Sequence, residues 1–215
     1  MGTERTDTPS LTLAQRLFQR PWVVAAYDRM RESPVARITC GLTFRAEVAI
    51  HAAALRRAPG RRFIEIACGQ GSFGIGVARQ IPDVRFAALD LSAAQFARAG
   101  RKVAAAGVAD RYRRIRGDAL RLPFLEGVFD GALCVGGFHQ IPEPRRALAE
   151  AGRVLRPGGI LAGSCFHLRP TLTSPFGMNA LEPGEFAGWL RDAGFTRISC
   201  RKTGPIWFVF DAERG

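Results

Sequence analysis

The chain has 215 residues, of which 47% are hydrophobic and 23% are charged, and this suits one globular domain with a sizeable core. Neither a signal-peptide layout at Met1–Ser10 nor an apolar run of the ~20 residues that a membrane-spanning helix needs is present, so we expect a cytoplasmic protein. The net charge of +12 is spread along the chain, and its densest cluster, Arg98–Arg116, nearly lacks the aromatic residues that stack on nucleic-acid bases. We therefore expect a solvated basic surface and no specific binding of nucleic acid.

The N-terminal quarter of the chain predicts helices. Apolar residues recur between residues 11 and 31, but Pro21 interrupts the pattern, so we expect two short helices there. A further helix is expected over residues 42–57. We expect residues 1–58 to form a helical cap that covers one edge of a sheet and acts as a substrate lid.

From residue 62 onward, strand-like apolar segments alternate with helical ones, which indicates a largely parallel sheet with helices on both faces. The predicted helices are 72–81, 92–106, 143–154 and 183–193. The predicted strands are 62–67, 84–89, 111–116, 129–135, 159–166, 195–202 and 206–211. Because only Thr203–Pro205 separate the last two strands, these should form an antiparallel hairpin. Residues 59–215 are therefore expected to be one α/β core domain.

The most informative segment is the turn between the first predicted strand and the helix after it, where Gly69, Gly71 and Gly74 occur. Glycines there let the backbone turn tightly and approach a ligand, and the start of the helix offers free N–H groups. Asp90 ends the second predicted strand, where a carboxylate suits the paired hydroxyls of a ribose. The pattern predicts a site for a nucleoside cofactor, but it also fits the dinucleotide fingerprint and does not say which cofactor binds.

A second acidic residue, Asp118, follows the third predicted strand. Ligands of open α/β sheets collect at the carboxyl ends of the strands, so Asp118 should lie beside Asp90 and the glycine turn. Its carboxylate can accept a hydrogen bond from an adenine amino group, with Leu91, Ala119 and Leu120 as apolar neighbours of the ring. A role in capping the loop is the alternative.

Several blocks of residues occur in a characteristic order over about residues 60–166, half of the chain. They are Glu65-x-Ala67-Cys68-Gly69-x-Gly71, Leu89-Asp90-Leu91-Ser92, Gly117-Asp118-Ala119-x-x-Leu122-Pro123-Phe124, Phe129-Asp130, Phe138-His139-Gln140-Ile141 and Leu155-Arg156-Pro157-Gly158-Gly159. In this order they resemble the class I S-adenosylmethionine-dependent methyltransferases, and especially the branch of the ubiquinone and menaquinone methyltransferases. Glu65 stands where Asp is more usual, and Ala67 stands where Gly is commoner.

The resemblance implies a Rossmann-like, doubly wound sheet of seven strands in the order 3-2-1-4-5-7-6, with strand seven antiparallel. It implies S-adenosyl-L-methionine as the cofactor and S-adenosyl-L-homocysteine as its product. The glycine turn would approach the methionine part, Asp90 the ribose, and Asp118 with Ala119 the adenine. The expected cofactor-binding residues are Glu65, Ala67, Gly69, Gly71, Asp90, Leu91, Asp118, Ala119, Val135 and Gly136.

The implied reaction transfers a methyl group to an O, N or C atom of a small apolar or aromatic molecule. His139 is the candidate base, because it follows the fourth strand at the mouth of the crevice and an imidazole titrates near neutral pH. A histidine that orders the loop or contacts the cofactor's carboxylate is the alternative. The expected substrate-binding residues are Trp22, Tyr27, Phe138, His139, Gln140 and His167, with further apolar side chains from the loop His167–Leu181.

Other interpretations stay open at this point. A protein of the same fold could catalyse a rearrangement or serve as a binding module. An oxidoreductase with a nicotinamide cofactor also fits the glycine turn, although the sequence lacks a Tyr-x-x-x-Lys pair. The basic surface makes peripheral membrane attachment a further alternative, and both a monomer and a homodimer are compatible with the sequence. The five cysteines lack metal-ligand spacing, so we expect core residues and no metal site.

Overall fold

The computed structural model describes residues 12–17, 20–167 and 177–215. Within these ranges the chain forms a sheet flanked by helices. The strands are β1 (Arg62–Ile66), β2 (Arg85–Asp90), β3 (Tyr112–Arg116), β4 (Phe129–Val135), β5 (Leu155–Phe166), β6 (Phe195–Gly204) and β7 (Trp207–Arg214). The helices are α1 (Leu13–Leu17), α2 (Pro21–Glu32), α3 (Pro34–Cys40), α4 (Phe44–Leu55), α5 (Ser72–Gln80), α6 (Ala93–Ala105), α7 (Pro144–Val154) and α8 (Pro183–Asp192).

The strands form one mixed sheet in the order β3-β2-β1-β4-β5-β7-β6. β1 pairs in parallel with β2 and β4, β2 with β3, and β4 with β5, whereas β7 is antiparallel to both β5 and β6. The predicted fold and strand order are confirmed. β5 begins earlier than predicted, at Leu155, because this residue already pairs with Phe129 across an irregularity in the register.

Both faces of the central strands are buried. Ile64 of β1 belongs to a core cluster that contains Leu148 of α7 and Phe186 of α8. Its neighbour Phe63 belongs to a second cluster on the opposite face, together with Leu55 of α4. Side chains alternate across a strand, so covering both faces requires the near-continuous apolar runs that the sequence shows.

The N-terminal cap comprises the helices α1–α4. Pro21 separates the first two, since it is the first residue of α2, where a missing N–H leaves no hydrogen bond unmade. The unexpected element is α3, which packs on β6 and β7. It ends at Gly41, whose φ is +70° and where a Cβ would lie 1.6 Å from the carbonyl oxygen of Thr203. Only glycine permits this close approach of the cap to β6.

Among the helices in the described ranges, none alone is long and apolar enough to cross a membrane. α3 and α4 together have the required length and composition, but the chain bends by 56° between them.

A buried ionic network joins the cap to the sheet. Glu47 of α4 is fully buried and pairs with the guanidinium of Arg31 from α2. Its Oε1 also accepts hydrogen bonds from Ser164 Oγ on β5, at 2.5 Å, and from Trp207 Nε1 on β7, at 2.9 Å. Burial alone would raise the pKa of Glu47, but the neighbouring His51 and the charge of Arg31 outweigh burial and hold that pKa below its usual range.

Removing the carboxylate of Glu47 should loosen the cap. In Glu47→Ala the charge of Arg31 stays buried without its counterion, so we expect the free energy of unfolding to fall by roughly 3–5 kcal/mol in denaturant titrations. The control is Arg197→Ala, which removes the exposed Arg197–Glu213 pair and should cost less than about 1 kcal/mol. Equal losses in the two variants would contradict the account of the network.

Candidate active site

A cavity opens at the carboxyl ends of the central parallel strands, where open α/β sheets bind their ligands. Four segments that end or follow a strand form its wall: Ala67–Gln70, Leu89–Ser92, Gly117–Ala119 and Val135–Gly137. Tyr27, Arg31 and Phe44 line it from the cap. The structure thus brings four separate segments of the core sequence and the N-terminal helices to one place.

The turn after β1 presents bare backbone to this cavity. Gly69 has a φ of +54°, and no atom lies within 4 Å of the position that a Cβ would occupy there. A side chain at this position would therefore project into open space at the cavity wall. Ala67 has a φ of +53°, a left-handed conformation that costs a residue with a Cβ about 1 kcal/mol or more.

Asp90 ends β2 and faces the glycine turn. Its Oδ2 accepts a hydrogen bond from the N–H of Gly69 at 2.7 Å, and its Oδ1 accepts one from the N–H of Ser92 at 2.8 Å. Burial raises the pKa of Asp90, although the hydrogen bonds from Ser92 and Gly69 oppose that rise. Two backbone donors therefore hold the carboxylate in one orientation at the cavity wall.

The loop after β3 places the second acidic residue on the same wall. Asp118 Oδ1 accepts a hydrogen bond from the N–H of Leu120 at 2.9 Å, which caps the loop and orients the carboxylate. Asp118, Ala119 and Leu91 all line the cavity, whereas Leu120 packs against the core. The capping role and the ligand-binding role considered for Asp118 are compatible with each other in this geometry.

The end of β4 completes the wall with Val135 and Gly136. Gly136 has a φ of +69°, and a Cβ there would lie 3.5 Å from the hydroxyl oxygen of Tyr27. Gln140 also lines the cavity, and its side-chain amide donates a hydrogen bond to the Gly136 carbonyl at 2.8 Å. Tyr27 and Gln140, two of the expected substrate contacts, therefore lie at the same end of the cavity as Gly136.

Two of the expected cofactor contacts, Glu65 and Gly71, do not line the cavity. Gly71 has a φ of +75° and is the N-cap residue that precedes α5, so it serves the turn itself. Glu65 is buried behind the turn, where its Oε1 accepts a hydrogen bond from the N–H of Gly74 at 3.0 Å and its Oε2 accepts one from the Tyr112 hydroxyl. Burial raises the pKa of Glu65 to about 7, against the effect of these hydrogen bonds.

Phe138 and His139 are both buried and do not line the cavity. Phe138 packs in the core, with ring centroids 5.8 Å from Phe186 and 6.0 Å from Phe210. His139 Nδ1 accepts a hydrogen bond from the N–H of Phe166 at 3.4 Å. Burial lowers the pKa of His139 to about 3, so the imidazole is neutral at physiological pH.

The remaining expected substrate contacts lie away from the cavity. Trp22 is 66% exposed on the outside of the cap. His167 Nε2 donates a hydrogen bond to the carbonyl of Gly204 at 3.2 Å, at the hairpin end of the sheet. Leu168, Leu172 and Phe176, which the sequence places in a substrate-binding loop, lie outside the described residues.

Sequence reasoning missed Arg31 and Phe73, which both line the cavity. Arg31 is 3% exposed, and its guanidinium carbon lies 4.9 Å from the ring centroid of Trp207 and 5.7 Å from that of Phe73. A helix spacing of four residues puts Arg31 on the face of Tyr27, which is the one signal available in the sequence. Its partner Glu47 lies on another helix, so the sequence around Arg31 predicts only an ordinary solvated arginine.

In the described ranges, the cysteines are the first candidates for binding a metal ion. No group of three or more His, Cys, Asp or Glu side chains in them is arranged to hold a metal ion. The five cysteines are unpaired thiols, of which Cys40, Cys134 and Cys165 are buried. Burial raises the pKa of Cys134 to about 12, which is typical of an inert core thiol.

The chain is similar in sequence to known methyltransferases. A family model described as a methyltransferase domain matches residues 63–159. The chain is 30% identical over 156 residues to 2-methyl-6-phytyl-1,4-hydroquinone methyltransferase 1, chloroplastic, of Oryza sativa subsp. japonica, a match that covers 69% of this chain and 45% of that protein. It is 36% identical over 110 residues to a demethylmenaquinone methyltransferase of Deinococcus radiodurans, covering 51% and 44%. The chain thus spans less than half the length of these relatives.

Two solved structures share the fold. The crystal structure of the [4+2]-cyclase SpnF gives a TM-score of 0.74 at 19% identity and covers 96% of this chain and 98% of that chain. Geranyl diphosphate C-methyltransferase from Streptomyces coelicolor A3(2), in complex with Mg²⁺, geranyl diphosphate and S-adenosyl-L-homocysteine, gives a TM-score of 0.68 at 17% identity and covers 79% of each chain. At these identities the likeness concerns the fold.

The family model and the sheet order agree on one class of protein, the methyltransferases with a Rossmann-like fold. Residues 63–159 match the methyltransferase-domain model, so this part of the chain belongs to the class I S-adenosylmethionine-dependent methyltransferases, and the relatives that the chain resembles include quinone methyltransferases. The family expected from the ordered sequence blocks is thereby confirmed.

The raised pKa of Glu65 predicts how stability depends on pH. The folded state binds this proton more tightly than the unfolded state, so the stabilisation is complete below about pH 4.5 and is lost as the pH rises through about 7. In Glu65→Gln an amide can still accept from Gly74 and donate to Tyr112, but it never ionises. Between pH 5 and pH 8, the unfolding free energy of the variant should rise relative to the unmodified protein by roughly 2–3 kcal/mol.

Denaturant titrations at several pH values measure this difference directly. A difference that stays constant across the range would show that Glu65 does not titrate as described.

Proposed function

We propose that the protein transfers the methyl group of S-adenosyl-L-methionine to an oxygen, nitrogen or carbon atom of a small apolar or aromatic molecule. The observation that carries the proposal is that the open backbone of Gly69 and the fixed carboxylate of Asp90 lie side by side on the wall of one cavity. The two relatives named as methyltransferases, and the solved neighbour that contains S-adenosyl-L-homocysteine, support it.

The residues of the cavity fit such a cofactor. Each oxygen of the Asp90 carboxylate accepts one backbone hydrogen bond and keeps further lone pairs, which ribose hydroxyls can use. Asp118 offers an acceptor for an adenine amino group, and Leu91 and Ala119 offer apolar surface beside it. The space in front of Gly69 admits a ligand close to the backbone.

S-adenosyl-L-methionine, when bound, supplies a methyl carbon that its positively charged sulfur makes electrophilic. The residues of this chain then have to bind both molecules, align them and exclude water. Val135–Gly137 form the wall next to the glycine turn and are assigned to the methionine end of the cofactor. Glu65 acts indirectly, because its hydrogen bond to Gly74 holds the turn from behind.

We assign the acceptor molecule to the space between the sheet edge and the cap. Phe44 and Phe73 line this space with ring centroids 4.9 Å apart, and such an aromatic surface suits a flat apolar molecule. Residues 1–58 act in this proposal as the lid, and residues 59–215 act as the cofactor-binding domain. The cytoplasmic setting and the choice between monomer and homodimer stay predictions.

For His139 the geometry favours a role in ordering the loop after β4. Its Nδ1 accepts the hydrogen bond from Phe166, and its carbonyl accepts one from the N–H of Asn179 at 2.7 Å. A buried ring with its pKa lowered to about 3 is a weak proton acceptor. The sequence-based assignment of His139 as a general base stays a prediction. We propose instead that His139 orders the loop after β4.

Replacing Asp90 tests the cofactor site. Calorimetry with S-adenosyl-L-homocysteine should show binding to the unmodified protein, and Asp90→Asn should weaken it by roughly 1–3 kcal/mol, because the ribose loses a charged acceptor. The matched control is Asp83→Asn, at an exposed carboxylate in the turn before β2, with no change expected. No binding at millimolar concentration, or preferential binding of NADH, would overturn the proposed function.

Replacing His139 separates its two roles. His139→Gln keeps an acceptor for the N–H of Phe166, so an ordering role predicts turnover within about tenfold of the unmodified protein and a pH profile of the same shape. The assay uses a hydroquinone acceptor and detects the mass gained with each methyl group. If the unmodified profile has an acid limb near pH 6.5, and His139→Gln removes that limb together with a factor of about 10² in turnover, the imidazole is the base.

A further inference from the structure

The outward face of α2 combines an aromatic side chain with a positive charge. Trp22, Ala25, Ala26 and Arg29 are exposed and follow the spacing i, i+3, i+4, i+7 of a single helical stripe. Tyr27, on the same helix, instead lines the cavity. α2 therefore has an inner face that belongs to the candidate active site and an outer face that no described contact of the core explains.

The exposed surface continues on α3, which Ser33 alone separates from α2. Val35 is 50% exposed and Ile38 is 74% exposed, while Ala36 and Cys40 on the opposite side of the helix are buried. Arg37 is exposed between the two apolar residues. Ile and Trp side chains that are more than 60% exposed on neighbouring helices, as Ile38 and Trp22 are, indicate a surface that contacts a partner.

Exposed arginines lie on the same helices as these apolar residues or close to them in the sequence. Four arginines of this region have exposed side chains: Arg20, Arg29, Arg37 and Arg45. The sequence between residues 20 and 45 contains five arginines and two acidic residues, Asp28 and Glu32. The fifth arginine, Arg31, is buried against Glu47. The surface is therefore complementary to a negatively charged partner that also offers an apolar interior.

We propose that this outer cap face, defined by Trp22, Arg29, Val35, Arg37 and Ile38, docks on an anionic lipid bilayer. Tryptophan side chains are enriched at the level of the lipid headgroups, aliphatic side chains insert into the boundary with the acyl chains, and arginines bind lipid phosphates. Nucleic acid fits this surface less well, because Val35 and Ile38 can neither stack on bases nor neutralise phosphates. Docking places the cap between the bilayer and the cavity, and it does so whether or not the protein transfers methyl groups.

Vesicle flotation tests this inference. The unmodified protein should float with phosphatidylcholine vesicles that contain about 30% phosphatidylglycerol, sink with phosphatidylcholine alone, and lose much of its binding at high salt. Trp22 emission should shift to shorter wavelength on binding, and Trp22→Phe should abolish the shift.

Matched variants distinguish an effect of this surface on vesicle binding from an effect of the protein's net charge. Ile38→Glu should lower the partition coefficient about tenfold or more, whereas Leu125→Glu, at an 80% exposed leucine outside the cap, should change it less than about twofold. The double variant Arg29→Glu/Arg37→Glu should lose binding to a similar extent. Its control, Arg101→Glu/Arg113→Glu, reverses two exposed charges near the β3 edge, so it carries the same net charge and should keep binding.

Three results would overturn the proposal. The first is no flotation with anionic vesicles. The second is equal loss of binding in the cap variants and their controls, which would reduce the effect to net charge. The third is tighter binding of a single-stranded RNA oligonucleotide than of vesicles, with the RNA affinity lost in the cap variants.

Because all the substituted side chains are exposed, thermal unfolding should show that each variant remains folded.

Discussion

The hydrogen bond from the N–H of Gly69 to the carboxylate of Asp90 is the interaction on which the geometry of the site depends. It joins the turn after β1 to the end of β2, two neighbouring parallel strands. Ser92 holds the second oxygen, and Glu65 holds Gly74 from behind the turn. The turn is thus fixed on the side of the sheet and on the side of the core, and it is open on the side of the cavity.

The cap depends on a different kind of interaction. Arg31 and Glu47 are both buried, and burying two charges is costly unless hydrogen bonds satisfy them, as Ser164 and Trp207 do for the carboxylate. The same pair fixes how α2 is placed, with Tyr27 towards the cavity and Trp22 outwards. One network thereby connects the wall of the candidate active site with the surface proposed to meet lipid.

Much of the fold could be predicted because its signals are local. The segment from β1 to Asp90 carries its strand pattern, its glycines and its acid within about thirty residues, and the hairpin follows from a short connection. The full strand order required the resemblance to a family, since pairing of distant strands leaves no local trace. α3 escaped prediction because its end at Gly41 is set by contact with Thr203, more than a hundred residues away.

The candidate site likewise has features that the local sequence predicts and features that only tertiary packing determines. Phe138, His139 and Gln140 are consecutive, yet only Gln140 lines the cavity, because the chain direction after the left-handed Gly136 decides which side chains turn inward. Glu65 shares a motif with Gly69, but strand alternation and the hydroxyl of Tyr112 draw its carboxylate to the buried side. Spacing identifies such segments, whereas the direction of each side chain depends on tertiary packing.

The central claim is that an adenosyl sulfonium cofactor lies across the carboxyl edge of the central strands. A crystal structure of the protein grown with S-adenosyl-L-homocysteine tests it most directly. The account predicts density in the cavity, with the ribose hydroxyls on the carboxylate of Asp90 and the adenine beside Asp118. Density for the ligand at another place, or an empty cavity at saturating ligand, would contradict it.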